Sequence, residues 1–194
     1  EYIANEMHHY VELQHQEKLL DRLWKLEGAV KKRQYVEIRY KKLKNSQEVT
    51  RRIKPVGIMF SEFYYYLTAF IENIDKEKEF HNPDDMFPTI YRIDRLKEMK
   101  VLEETFYVPY GDRFEEGEFR KRIQFMYGGR LKRIRFKYRG NSLESILDRL
   151  PTAKVIKEEK EGVLIQAEVF GEGVDRWIKS QGDAIYDLES FTMA

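Results

Sequence analysis

The 194-residue sequence predicts an α+β protein: a helical segment, then a small β-barrel, then a ferredoxin-like βαββαβ module. Three features carry this reading. Apolar spacing changes from three-and-four to two near Tyr35, a set of short β-rich runs fills the stretch to Phe106, and strand and helix patterns alternate regularly from Leu131 to Glu189.

The first 33 residues place Leu19, Leu20, Leu23, Trp24 and Leu26 at helical spacing, with no Gly or Pro before Gly28. This is the pattern of a helix with an apolar face. In the next segment Val36, Ile38 and Tyr40 alternate with Glu37, Arg39 and Lys41, so a half-buried strand is expected. Asn45-Ser46 supplies turn chemistry. Arg51 to Phe60 is a second extended run, whose Pro55 and Gly57 suit a bend or barrel corner. Phe63 to Ile71 is rich in aromatic and β-forming residues throughout, as in a strand covered on both faces. A polar loop from Glu72 to Pro88 precedes a strand at Ile90 to Ile93, and Met99 to Phe106 adds a fifth.

Asp112 to Tyr127 returns to helical spacing through Phe114, Phe119, Ile123 and Met126, with Gly128-Gly129 as its expected stop. Beyond it the order is strand Leu131 to Tyr138, helix Ser142 to Leu150, strands Ala153 to Glu159 and Gly162 to Phe170, helix Val174 to Gln181, and strand Ala184 to Glu189. That order matches the split βαβ arrangement. The expected organisation is a linker or dimerisation segment at 1–33, a barrel at 34–110, a connecting helix at 111–129 and the ferredoxin-like module at 130–190.

Formal net charge is only +1, with 36% charged residues and no cysteine. Disulfides, thiolate nucleophiles and Cys-based zinc sites are thereby excluded. No run approaches the roughly 18 apolar residues of a membrane span and no signal-peptide layout is present, so a cytoplasmic location is the default. Charge is locally uneven: Arg120 to Arg139 holds nine Lys or Arg and no acid. A second basic stretch runs from Lys31 to Lys54. Such runs suit a phosphate-bearing partner or a solvated charged face.

The motifs of the common catalytic classes, including the P-loop, the dinucleotide glycine fingerprint, HExxH and Gly-x-Ser-x-Gly, are missing. Neither an enzyme nor a cofactor is expected. His8, His9 and His15 lack the spacing of a zinc helix, and His81-Asn82-Pro83-Asp84-Asp85 reads as turn chemistry before it reads as a divalent-cation or acid–base site. A more informative set is Tyr40, Arg52, Tyr66 and Arg92, drawn from four different strands. An arginine on an aromatic strand face needs an anionic partner. Arg92 could pair with Asp94 or Glu37 and tie strands together. Alternatively, Arg52 and Arg92 could bind a phosphate while the tyrosines stack a base.

At these residues the sequence resembles the WYL-domain family of bacterial regulators. Tyr65-Tyr66-Leu67-Thr68-Ala69-Phe70 is similar to its naming strand, with Tyr for the Trp, and Tyr91 to Leu96 is similar to its Phe-Arg-Leu-Asp-Arg-Ile segment. Val36 to Tyr40 and Arg52 to Pro55 resemble its first two strands, and Trp177 to Ala184 resembles a stretch of the extension that commonly follows the domain. The resemblance covers about residues 17 to 190. It implies an Sm-like barrel whose basic groove binds a nucleotide or single-stranded nucleic acid, with Tyr40, Arg52, Tyr66, Arg92 and Arg95 as the groove residues. Arg133, Arg135 and Lys137 are candidate secondary contacts.

The resemblance also implies a homodimer and an operator-binding winged helix-turn-helix. The residues before Tyr35 are too few for that domain and the chain begins with Glu1, so a fragment lacking it is expected. The alternative function is a stand-alone RNA- or single-strand-binding accessory of a nuclease or defence system, which basic strands interleaved with aromatics suit equally.

Overall fold

The computed structural model describes residues 19–42, 47–80, 87–108 and 115–193. The first module contains α1 (Leu20–Lys32), β1 (Gln34–Lys41), β2 (Glu48–Ser61), β3 (Tyr64–Ile71), a one-turn α2 (Lys76–Glu79), β4 (Thr89–Arg92), a 3-10 turn (Ile93–Arg95) and β5 (Leu96–Thr105). After α3 (Glu116–Arg122), the second module runs β6 (Leu131–Tyr138), α4 (Leu143–Arg149), β7 (Lys154–Glu159), β8 (Gly162–Phe170), α5 (Gly173–Ser180), a 3-10 turn (Gly182–Ala184) and β9 (Ile185–Thr192). The α+β class is as expected. No described helix is long and apolar enough to cross a membrane.

The first sheet has the order β4-β3-β2-β1-β5, with every pairing antiparallel. Laid flat, its two edge strands would stand about 19 Å apart at about 4.8 Å per strand. Yet β4 and β5 are joined by the single turn Ile93–Arg95, which spans roughly 8 Å at about 2 Å per residue. The sheet must therefore curl. Its concave side encloses Val36, Ile38, Ile53, Leu67, Ala69, Tyr91, Ile93 and Leu96, and α1 closes it with Leu26 and Ala29.

A shift in register between Pro55 and Gly57 keeps β2 in this core. Before it the odd-numbered Ile53 faces inward, and after it the even-numbered Ile58 does. Thr68, fully buried, donates its hydroxyl to the Gly57 carbonyl at 3.0 Å, which satisfies a buried hydroxyl and ties β3 to β2 beside the register shift.

In α1 the sequence expectation of one apolar face divides. Leu26 and Ala29 are buried with Leu19 and Leu23 packed beside them, whereas Leu20 and Trp24 remain 72% and 71% exposed. The helix ends at Arg33 in the left-handed conformation, where the helical pattern of the first 33 residues stops, and Gly28 sits inside it.

The second sheet has the order β7-β8-β6-β9. One face carries Ile134, Phe136, Tyr138, Ile165, Ala167 and Val169 against α4 and α5 through Ile146, Leu150, Val174, Trp177 and Ile178. Ser142 caps α4 by accepting from the Ser145 N–H at 3.2 Å.

The connecting helix is shorter than expected. The sequence predicts helix from Asp112 to Tyr127, but α3 ends at Arg122, and Ile123 is extended and forms a parallel bridge to Phe170. Phe125 and Met126 then adopt left-handed backbone angles. Tertiary packing overrides helical spacing here. Phe119, Ile123 and Phe170 bury themselves with Met59 from the first sheet, and the 124–129 backbone lies directly on the Gly171-Glu172-Gly173 turn. A Cβ on Gly173 would meet the Gln124 carbonyl oxygen at 1.9 Å. Gly128-Gly129, expected as the helix stop, instead lies in this contact.

Two glycine replacements should therefore act in opposite directions. Gly173→Ala overpacks backbone against backbone and should lower the unfolding free energy by about 1–3 kcal/mol. Gly28→Ala adds a Cβ in open space within α1 and should raise it by about 0.5–1 kcal/mol. Urea unfolding of the two variants beside the parent checks both signs.

Candidate functional site

Antiparallel partners share a face of the sheet, so the register sorts the candidate residues. Tyr66 lies opposite both Met59 and Arg92, and Arg52 lies opposite Glu37. All of these are on the convex side. Tyr40 packs against the enclosed core and meets Tyr91 edge to face at 5.3 Å. The five candidates thus do not form one groove.

Three of them do come together. The Arg92 guanidinium stacks on Tyr64, its Cζ 3.4 Å from the ring centroid, and donates to the Asp94 carboxylate from Nε at 3.1 Å and Nη2 at 2.6 Å. Its side chain is 19% exposed and that of Asp94 only 6%. Tyr64 and Tyr66 are two residues apart on β3 and meet nearly perpendicularly at 6.4 Å. Burial raises the Tyr66 hydroxyl above the ordinary tyrosine range, against the nearby charges of Arg92 and Arg95. The corner therefore comprises two phenols, two guanidiniums and one carboxylate. Burial works most strongly against the Arg92 charge, but the hydrogen bonds and the charge of Asp94, joined by Tyr64 and Tyr66, together outweigh it and hold the guanidinium charged.

Arg52 stands elsewhere. Its carbonyl accepts from the Glu72 N–H, six positions along β3 from Tyr66, or on the order of 20 Å of strand. The guanidinium meets Glu72 at 2.6 Å and Glu104 at 2.6 Å and lies 4.1 Å from the Tyr35 ring centroid. Its hydrogen bond to Glu104 holds it firmly charged. This is a structural tie between β2, β5 and the end of β3.

Arg133, Arg135 and Lys137 share the face of the second sheet that α4 and α5 leave open. Each has a partner: Arg133 binds Glu168 at 3.2 Å, Arg135 donates to Gln166 at 2.8 Å, and Lys137 lies between Asp187 at 3.3 Å and Glu159 at 3.4 Å. With Phe191, Thr192 and Met193, the two arginines line a shallow groove of about 460 Å³. The histidines near the N-terminus and the 81–85 loop lie outside the described residues.

Sequence reasoning named Asp94 only as a structural partner and missed Tyr64. The signal was available, because Tyr64 is two positions from Tyr66 and must share its face. Glu72 and Glu104, the partners of Arg52, are 20 and 52 residues away in sequence and leave no local trace.

The enclosed Tyr91 makes the division between the two faces testable. Burial raises its hydroxyl well above the ordinary range, so the folded state holds the proton more tightly than the unfolded chain. Its contribution is complete below about pH 10 and is lost as pH rises from there toward the folded group's own pKa. Tyr91→Phe should flatten the fall in stability above pH 10 while leaving neutral-pH stability within about 1.5 kcal/mol of the parent, as read by urea midpoints across pH.

Comparison with known proteins places this geometry. The WYL domain model matches residues 21–101. Among solved structures, the chain is similar to proteasome accessory factor B/C (PafBC) of Arthrobacter aurescens, at 13% identity and a TM-score of 0.41, covering 84% of this chain and 24% of that one. It is also similar to a CRISPR Cas-related protein, at 15% identity and a TM-score of 0.49, covering 85% and 46%. The chain therefore spans less than half the length of either, and at these values neither likeness bears on its function. No curated protein matches. The matched segment takes in α1 from its second residue, β1 to β4 and most of β5, and residues 21–101 are a WYL domain.

Proposed function

We propose that this chain is the effector-sensing part of a bacterial transcription regulator, and that the effector is a nucleotide or a single-stranded nucleic acid whose phosphate is read at the corner of Tyr64, Tyr66, Arg92 and Arg95. The observation that carries the reading is the state of Arg92. Its guanidinium is flattened on one aromatic ring beside a second and is neutralised by a single near-buried carboxylate. A guanidinium presents a planar fork suited to a phosphate. A ligand phosphate would compete with Asp94 for that fork, while the exposed parts of the phenols offer faces to a base. Arg52, held by two glutamates, has no role in this site.

On this reading the curled sheet is an Sm-like barrel and the β7-β8-β6-β9 sheet with α4 and α5 is a ferredoxin-like module. The strand orders support both assignments. The working protein is a cytoplasmic homodimer without catalytic activity or cofactor, and operator DNA is contacted by a separate winged helix-turn-helix. Effector binding can change operator affinity only in so far as the effector favours one arrangement of the dimer over another. Arg133 and Arg135 could extend a bound strand only after releasing Glu168 and Gln166, which makes them secondary.

The test is fluorescence anisotropy of short labelled single-stranded DNA and RNA at two salt concentrations. Arg92→Ala should weaken binding by roughly 1–3 kcal/mol and reduce the salt slope by about 0.7. Asp94→Asn, which removes the internal competitor, should tighten it on the order of tenfold, about one charge-assisted hydrogen bond. Arg52→Ala should leave it unchanged. Equal losses from Arg52→Ala and Arg92→Ala would overturn the assignment of the site to one corner.

A further inference from the structure

The convex face of the first sheet continues past the corner of Tyr64 and Tyr66. In the β2–β3 ladder Ser61 lies opposite Tyr64 and Met59 opposite Tyr66, so both stand on that face one strand away, at about 4.8 Å. Met59 and Ser61 in turn help form the first-module wall of a cleft of about 200 Å³ where the two modules meet. The facing wall is built by Arg120 of α3, by Gln124 and Phe125 of the connecting segment, and by Asp148 and Arg149 at the end of α4.

Arg149 repeats the arrangement of Arg92. Its guanidinium Cζ lies 4.8 Å from the centroid of the Phe125 ring, and its carboxylate partner is Glu62, on the turn between β2 and β3. The pairing is slack. A single oxygen, Oε1 of Glu62, accepts from Nη1 at 3.4 Å and from Nη2 at 3.3 Å, where charge-assisted bonds close to about 2.7–2.9 Å. The buried Nε of Arg149 has no hydrogen-bond partner among the described residues. Arg120, on the same wall, makes a 3.5 Å bond to the Phe60 carbonyl. Arg52, by contrast, is closed by two carboxylates at 2.6 Å.

We infer that this cleft is a second phosphate subsite, continuous with the Arg92 corner, and that the ligand is a short single strand lying across both modules. Size and chemistry point to one phosphate group as the occupant of the cleft. Its volume is below the roughly 300–1,000 Å³ of pockets that enclose an organic molecule, which leaves no room for a base with its sugar. Its donors are two guanidiniums and the Ser61 hydroxyl. A planar fork with a long bond to one carboxylate oxygen yields readily to a phosphate that can take two nitrogens at once. The opposing charges, Glu62 and Asp148, are both exposed, where solvent screens them. From Arg92 on β4 to Ser61 on β2 is two strand spacings, on the order of 10 Å. The phosphates of a short strand bridge such a gap, and those of a nucleoside diphosphate do not. This ligand rests on the Arg92 reading and narrows it, because a mononucleotide fills the corner alone.

The experiment is competition against a labelled four-nucleotide thymidine strand, read by anisotropy, with the same strand unlabelled and with thymidine 5′-phosphate. The strand should compete at least about tenfold better than the mononucleotide, the gain from one further charge-assisted contact. Arg149→Ala should remove most of that advantage and lower the salt slope of the strand by about 0.7, with the mononucleotide unchanged. Because Arg149 also ties α4 to the β2–β3 turn, Glu62→Gln is the second variant. It frees the fork and should tighten the strand, whereas a purely structural tie would leave binding unchanged or weaker. Equal competition by the two ligands, a length advantage that survives Arg149→Ala, or no tightening by Glu62→Gln would overturn the inference, and the Arg92 corner would still stand if Arg92→Ala weakens both ligands. Arg92→Ala without effect on either ligand would sink the corner itself, and the continuous surface with it.

Discussion

The turn Ile93–Arg95 joins strands that stand at opposite edges of a five-stranded sheet, and much of the first module follows from how little chain is available to do so. The edges can meet only if the sheet curls. Curling separates a concave side, which must be filled, from a convex side, which is free to carry charge. The Pro55–Gly57 bulge lets β2 follow the bend without exchanging its faces, and α1 closes the open end. The same turn carries Asp94 and Arg95, so the link that shapes the sheet also supplies two residues of the candidate site.

Charge on the convex side is organised by long-range pairing. Arg39 meets both Glu48 and Glu98, Arg52 meets Glu72 and Glu104, and on the second sheet Arg133 meets Glu168. Runs that look basic along the chain are thus largely neutralised across strands. Exposed pairs of this kind contribute little to stability, typically up to about 1 kcal/mol each, but they decide where an anion can bind. Arg92 differs in being drawn into an aromatic recess with one carboxylate.

Alternation and turn chemistry made most of the fold readable in advance. Val36, Ile38 and Tyr40 point where their spacing says they should, and the second module follows the predicted order element by element. What local sequence could not show was decided by contacts between distant segments. The connecting helix stops at Arg122 because Ile123 pairs with Phe170, 47 residues on. The apolar face of α1 is two stripes with different destinations, a distinction that helical spacing alone does not draw. Of the candidate residues that the sequence offers, Tyr66, Arg92 and Arg95 are brought together by the fold. Tyr40 and Arg52 match the same groove by strand and by resemblance, but the register and length of the strands put them on another face and at another end.

Whether anions are read at Arg92 and not at Arg52 is visible in the NMR signals of the arginine side chains. Resolved arginine Nε–H signals would be followed while a short single-stranded oligonucleotide is added to the protein. The Arg92 signal should shift together with the ring protons of Tyr64 and Tyr66 as the bond to Asp94 is exchanged for one to phosphate, with Arg52 unmoved. A shift at Arg52 with Arg92 unchanged would contradict it.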